Sequence, residues 1–166
     1  MGKVQEVFGN GSPGAVTRSV DDIVISVRNA SDGDIPFGAP VFLTDSGAVP
    51  FNLSTPQNFT TFLGFAVRVA DKTPDSYPAG QFNTVSAGAW HAGDVMEVLV
   101  RGGIALPLAV AGMRGNKVYI RKSDGKLTTA AGSEGTTVLL ENVRVRNQRD
   151  TRSGCCEAIV NKRNIL

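Results

Sequence analysis

Alternation of apolar and polar residues, with short apolar runs between turn residues, organises most of this chain. Val95-Met96-Glu97-Val98-Leu99-Val100-Arg101 is the clearest strand, and Thr61 to Val69 is the most apolar one. Gly64 inside the second marks a bulge or a close backbone approach. Val20, Ile23, Val24, Ile25 and Val27 fit helical spacing as well as a strand, and their β-branching favours the strand. Val41 to Thr44 is a short strand closed by Asp45-Ser46-Gly47, and Pro50 to Thr60 and Asp71 to Gly80 are loops. Gly102-Gly103 is expected to turn the chain, with Ile104 to Leu108 as a broken return. Val118 to Arg121 and Lys126 to Thr128 flank Asp124-Gly125, the strongest hairpin signal, whose two turn residues must tolerate positive φ. Thr136 to Val145 and Cys156 to Val160 complete about ten short strands, the signature of a small sandwich or barrel.

Composition agrees. The chain has 166 residues with 19 glycines and 8 prolines, and valine outnumbers leucine two to one. That argues against a helical bundle and for strands joined by tight turns. The expected fold is all-β, a small antiparallel β-barrel or sandwich spanning residues 16–166, with an extended N-terminal arm over 1–15. The arm carries Gly9-Asn10-Gly11-Ser12-Pro13-Gly14, and only Val4, Val7 and Phe8 can anchor it. Such a segment is expected to order mainly on a partner, because ordering costs about 1–2 kcal/mol of backbone entropy per residue.

The formal charge is +2, too close to neutral to argue for nucleic acid or a membrane surface. No apolar stretch approaches the roughly 20 residues that span a bilayer. The first residues lack the apolar core of a signal peptide, and the adjacent Cys155 and Cys156 are poorly placed to pair with each other. Synthesis in a reducing cytoplasm is therefore expected.

Candidate chemistry is thin. The single histidine, His91, is expected to be a loop residue, far in sequence from the thiols that would complete a zinc site. One cysteine is expected to be buried and its neighbour half-exposed on a late strand. Asp32-Gly33-Asp34 lacks further oxygen ligands for calcium and fits a turn. No catalytic residue, metal, cofactor or small-molecule substrate is expected. The one electrostatic feature is the C-terminal region, where Arg144, Arg146, Arg149, Arg152, Lys162 and Arg163 face only Glu141, Asp150 and Glu157. Val143 and Val145 alternate with Arg144 and Arg146, so the arginines share one strand face, either solvated or set against an acidic protein partner. Interleaved aromatics, which single-stranded nucleic acid would favour, are absent there.

A run of phrases in a fixed order resembles the capsid cement, or decoration, proteins of tailed bacteriophages. Gly9 to Gly14 is similar to the family's glycine- and proline-containing arm. Ile35-Pro36-Phe37-Gly38-Ala39-Pro40-Val41 resembles its turn into the first core strand, and Phe62-Leu63-Gly64-Phe65-Ala66-Val67 its central strand. Ala92-Gly93-Asp94-Val95 through Gly102-Gly103-Ile104-Ala105-Leu106 resembles its most recognisable segment. Gly115 to Ile120 followed by Asp124 to Thr128 is like its next hairpin.

The resemblance implies a non-enzymatic virion protein that binds assembled major capsid protein on the outer head surface, often as a trimer. It carries no catalytic residues to transfer. The interface residues expected here are Val4, Val7 and Phe8 in the arm and Arg144 and Arg146 on the late strand. The alternatives are another virion component, such as a tail or head–tail connector protein, or a carbohydrate-binding β-sandwich. The last would need exposed aromatics, for which Tyr77, Trp90 and Tyr119 are the candidates.

Overall fold

The structure is a computed structural model that describes residues 11–17, 21–52, 61–69, 88–110, 112–148 and 154–164. Eleven strands make up its regular elements: β1 (Ile23–Arg28), β2 (Ile35–Pro36), β3 (Pro40–Thr44), β4 (Gly47–Pro50), β5 (Phe62–Ala66) and β6 (Ala89–Trp90) come first. β7 (Val95–Pro107), β8 (Lys117–Arg121), β9 (Leu127–Thr128), β10 (Thr137–Asn147) and β11 (Cys155–Val160) follow. Nine of them form one antiparallel sheet in the order β4-β3-β5-β7-β11-β10-β8-β9, with β1 also on β7, and β2 and β6 pair separately. The fold is all-β, as the alternation predicts.

β7 organises the sheet. Its first half is held on both edges, because Val98 and Leu99 pair with Ile25 and Val24 of β1 and with Ala66 and Phe65 of β5. Its second half pairs with β11 from Gly102 opposite Val160 to Pro107 opposite Cys155. On the other edge, Gly14 N donates to Ala105 O, Ala105 N to Ala15 O, and Thr17 N to Gly103 O, all at 2.9 Å. The described end of the arm is thus seated on the domain itself.

The expected turn at Gly102-Gly103 does not exist; the strand runs straight through. The glycines serve close approach instead. A Cβ on Gly102, whose φ is +120°, would strike the Asp22 carboxylate, and one on Gly103 the Thr17 hydroxyl. Asp22 Oδ1 accepts from Gly103 N at 3.1 Å. Long-range pairing on both edges overrides local turn propensity. β1 is a strand, not a helix: Ile23, Ile25 and Val27 turn inward while Val24, Ser26 and Arg28 face out.

Two further differences are local. Gly47 opens a strand rather than closing a turn, and β4 pairs back on β3 around Asp45-Ser46. In the β8–β9 hairpin only Gly125 adopts positive φ, at 70°. Asp124 does not, because the connection, residues 122–126, is longer than a two-residue turn and is closed by Gly125 N to Arg121 O at 2.8 Å and Arg121 N to Lys126 O at 2.9 Å.

The sheet curls twice. At one end Asn29 bridges Ala48 in parallel, bringing the chain after β1 back to β4. This curl holds a core of Val41, Leu63, Ala66, Met96, Val98 and Val100, to which Ile35 and Trp90 of the β2–β6 pair belong. At the other end Leu108 bridges Leu127, returning β9 to the chain just after β7. The second core joins Ile104, Leu106, Val118, Ile120, Leu140, Val143, Val145 and Val160 to Phe42, Phe62 and Phe65. β5 feeds both cores from its two faces, so all five of its residues are buried. Both cysteines of β11 are buried, not one, and both are free thiols.

Gly64 is where β5 and β7 come closest. A Cβ there would fall on the Leu99 carbonyl oxygen, 2.9 Å from its carbon and 3.0 Å from a Val98 methyl. The register of β3 against β5 also shifts there, between Val41 and Phe42. Both expectations for this glycine therefore hold. Gly64→Ala should destabilise the fold by about 3 kcal/mol, since backbone atoms cannot yield as a flexible side chain does. Urea unfolding of the purified variant measures it, and a shift below about 0.5 kcal/mol would contradict the packing described.

Candidate interface surfaces

The late arginines sit as the alternation requires. Val143 and Val145 are fully buried, Arg144 is half-buried and Arg146 is exposed on the other face of β10. Arg144 Nη1 donates to the neighbouring Val143 carbonyl at 3.0 Å. Arg146 Nη1 lies 3.6 Å from Glu157 Oε1 on β11. Across the sheet Arg144 stands opposite Ile159 on one side and Lys117 on the other. A directly opposed pair of cations opposes folding slightly. Val4, Val7 and Phe8, along with Tyr77, Arg149 and Arg152, lie outside the described residues.

Trp90 is a core residue rather than an exposed sugar platform. It is 5% exposed, its ring meets Phe37 edge-on at 6.2 Å, and Nε1 donates to Val67 O at 2.9 Å. His91 is a loop residue, with Nδ1 2.9 Å from Asp34 Oδ1 and its backbone N 2.9 Å from Asp94 Oδ2. Among the described residues no three His, Cys, Asp or Glu side chains gather closely enough to hold a metal ion.

One polar group of consequence escapes sequence reasoning. Asn29 is 1% exposed, and its Nδ2 lies 3.0 Å from Gly33 O, 3.2 Å from Trp90 O and 3.0 Å from His91 O. Its Oδ1 accepts from Ser31 N and Ser31 Oγ. This side chain ties the turn around Gly33 to the loop after β6, and Asp32-Gly33-Asp34 is held as part of that turn. An asparagine after a β-branched strand gives no hint of these partners, which lie some 60 positions away.

The β8–β9 hairpin carries the tightest ion pair. Arg121 Nε donates to Asp124 Oδ1 at 2.9 Å, and Arg121 Nη2 pairs with Asp124 Oδ2. Lys126 N also donates to Asp124 Oδ1, at 3.1 Å. The Arg121 hydrogen bond is the main reason the Asp124 carboxyl is lowered to about 2.

A family model described as "Structural cement protein (E217 gp24/Pam3 gp6)" matches residues 2–158. The chain belongs to this family. It is a phage structural protein, a cement associated with the capsid, and not an enzyme. Among solved structures the cement protein is similar to a chain in "The capsid of Myoviridae Phage XM1", with a TM-score of 0.69 and 17% identity over 96% of each chain. At that identity the likeness speaks to the fold. No curated protein matches it.

The Arg121–Asp124 pair of the cement protein yields a titration test. A carboxyl depressed below its unfolded value stabilises the fold above that value, near 3.8, and the contribution fades as pH falls toward 2. Carboxyl-detected NMR should place the Asp124 midpoint near 2, and Arg121→Gln should raise it toward 3.8. An unmoved midpoint in that variant would show that Arg121 is not the cause.

Proposed function

We propose that this cement protein binds the major capsid protein on the outer surface of the assembled head and staples neighbouring subunits. The observation that carries the reading is the opposed pair Lys117 and Arg144, with Arg146 two residues along the same face. Neither Lys117 nor Arg144 has a carboxylate partner among the described residues, and folding alone does not favour two cations there. An acidic surface on a capsid subunit relieves that repulsion and gains charge-assisted contacts. The arm supplies a second contact through Val4, Val7 and Phe8, adding its backbone to an exposed sheet edge. Assembly as a trimer presents three such arms and arginine faces at once, multiplying affinity by about 10² or more through effective concentration. Many weak bonds of this kind raise the barrier to opening a head filled with DNA.

Co-sedimentation with purified, empty, expanded heads tests the reading. Wild-type protein should pellet with the heads, and increasing salt should weaken the association. Since Gly14 and Ala15 hydrogen-bond to Ala105, the truncation that isolates the arm removes residues 1–10 only. It should leave the β core folded and weaken binding. Arg144→Glu with Arg146→Glu should weaken binding by about tenfold or more while shifting folding stability by less than about 1 kcal/mol. Head binding unchanged by both variants would overturn the assigned contacts, and failure of wild-type protein to pellet would overturn the proposal.

A further inference from the structure

A second surface on the same half of the molecule has the makings of a docking site. Thr128, Ala130, Gly132, Thr136 and Thr137, the start of the β8–β9 connection and Val110 line a half-open groove of about 540 Å³ with mainly apolar walls. Val110 is 43% exposed, and Met113 on the same connection is 70% exposed. Among the described residues three other large apolar side chains are exposed, Val16, Val24 and Val95, and none of them lines the groove. The rim is preformed. Lys122 N donates to Thr136 O at 2.9 Å, Gly132 N to Thr137 Oγ1 at 3.2 Å, and Thr136 Oγ1 to Ser133 O at 2.7 Å.

The charge around the groove is one-sided. Arg121 and Lys122 line it, and no carboxylate does. Between residues 112 and 137 Arg114, Lys117, Arg121, Lys122 and Lys126 face only Asp124 and Glu134, and Asp124 is engaged by Arg121. Lys122 is exposed and has no carboxylate partner among the described residues. Arg121 and its partner Thr137 lie two residues along from Tyr119 and Leu139, toward the groove, while Lys117 lies two residues the other way. The groove therefore continues the cationic face that bears Arg144.

We propose that this groove takes an extended segment of a capsid component, one that places an apolar side chain against Val110 and Ala130 and a carboxylate beside Lys122. The inference rests on the head-binding reading and names a contact that reading does not include. An extended segment fits because the site is half open and its volume holds a few side chains and no folded element. An acidic one fits because Lys122 stands at the rim without a carboxylate partner among the described residues, Arg121 being engaged by Asp124.

Two exposed positions test it. Lys122→Glu reverses the charge at the rim, and Ala130→Trp fills the groove without changing charge. Each should weaken co-sedimentation with empty heads by about tenfold while thermal unfolding stays at the wild-type temperature. Lys122→Gln should also flatten the salt dependence. In intact particles, a benzophenone amino acid in place of Ser123 should cross-link to a capsid chain at a peptide containing aspartate or glutamate. If wild-type protein binds heads while Lys122→Glu and Ala130→Trp bind equally well, the groove is not a contact, although the head-binding reading stands. If wild-type protein does not bind heads, that reading fails. Cross-linking in particles then decides the groove, and its absence, or capture only at peptides without acidic residues, overturns the inference.

Discussion

A β-strand has two edges, and each half of β7 is held on both of them. Its first half lies between β1 and β5, and its second between β11 and the end of the arm. Thirteen residues therefore hold two curls of sheet, and each core depends on the same strand. The arrangement needs backbone to approach backbone more closely than a Cβ allows. Gly64 provides that clearance to the β7 backbone, while Gly102 and Gly103 make room for the Asp22 carboxylate and the Thr17 hydroxyl. These three glycines serve close approach rather than turning the chain.

Among the described residues the interior is almost wholly apolar, with Asn29 and Thr128 as its buried polar residues. Asn29 uses both ends of its amide, so burial leaves neither end unsatisfied. With specificity inside delegated to packing and one asparagine, charge is free to serve the outside. On the β8–β10–β11 half Lys117 stands directly opposite Arg144, while Arg121 and Arg146 keep carboxylate neighbours in Asp124 and Glu157. For a cement protein that is a physically sensible division. Apolar burial supplies a self-sufficient domain. On the proposed reading, a modest, salt-sensitive surface charge supplies contacts that add up across many copies.

Much of this was legible in the chain. Alternation located β8, β10, β11 and the first half of β7, because a strand with one face in a core must alternate, and apolar runs between turn residues located β3 and β5. It also settled which side of β10 carries Arg144 and Arg146, since Val143 and Val145 have nowhere else to go. The order of glycine-containing phrases pointed to the cement family, and the absence of clustered ligands or nucleophiles pointed away from catalysis. β4 was hidden because Gly47-Ala48-Val49-Pro50 is too short and too small to show a pattern. It is a strand only because β3 lies beside it.

Local sequence determined the class of fold, the hairpin at Asp124-Gly125 and the facing of side chains, because these follow from properties of one or two residues and their neighbours. Tertiary structure alone decided that Gly102-Gly103 continues a strand, that Cys155 and Cys156 are both covered, and that Asn29 reaches carbonyls of Trp90 and His91. It also decided that residues 128–137 meet Val110 to form a groove. Each of these depends on segments tens of residues apart arriving at the same place. A glycine pair is permissive of a turn and of a close approach alike, and only the strands that crowd against it determine which one forms.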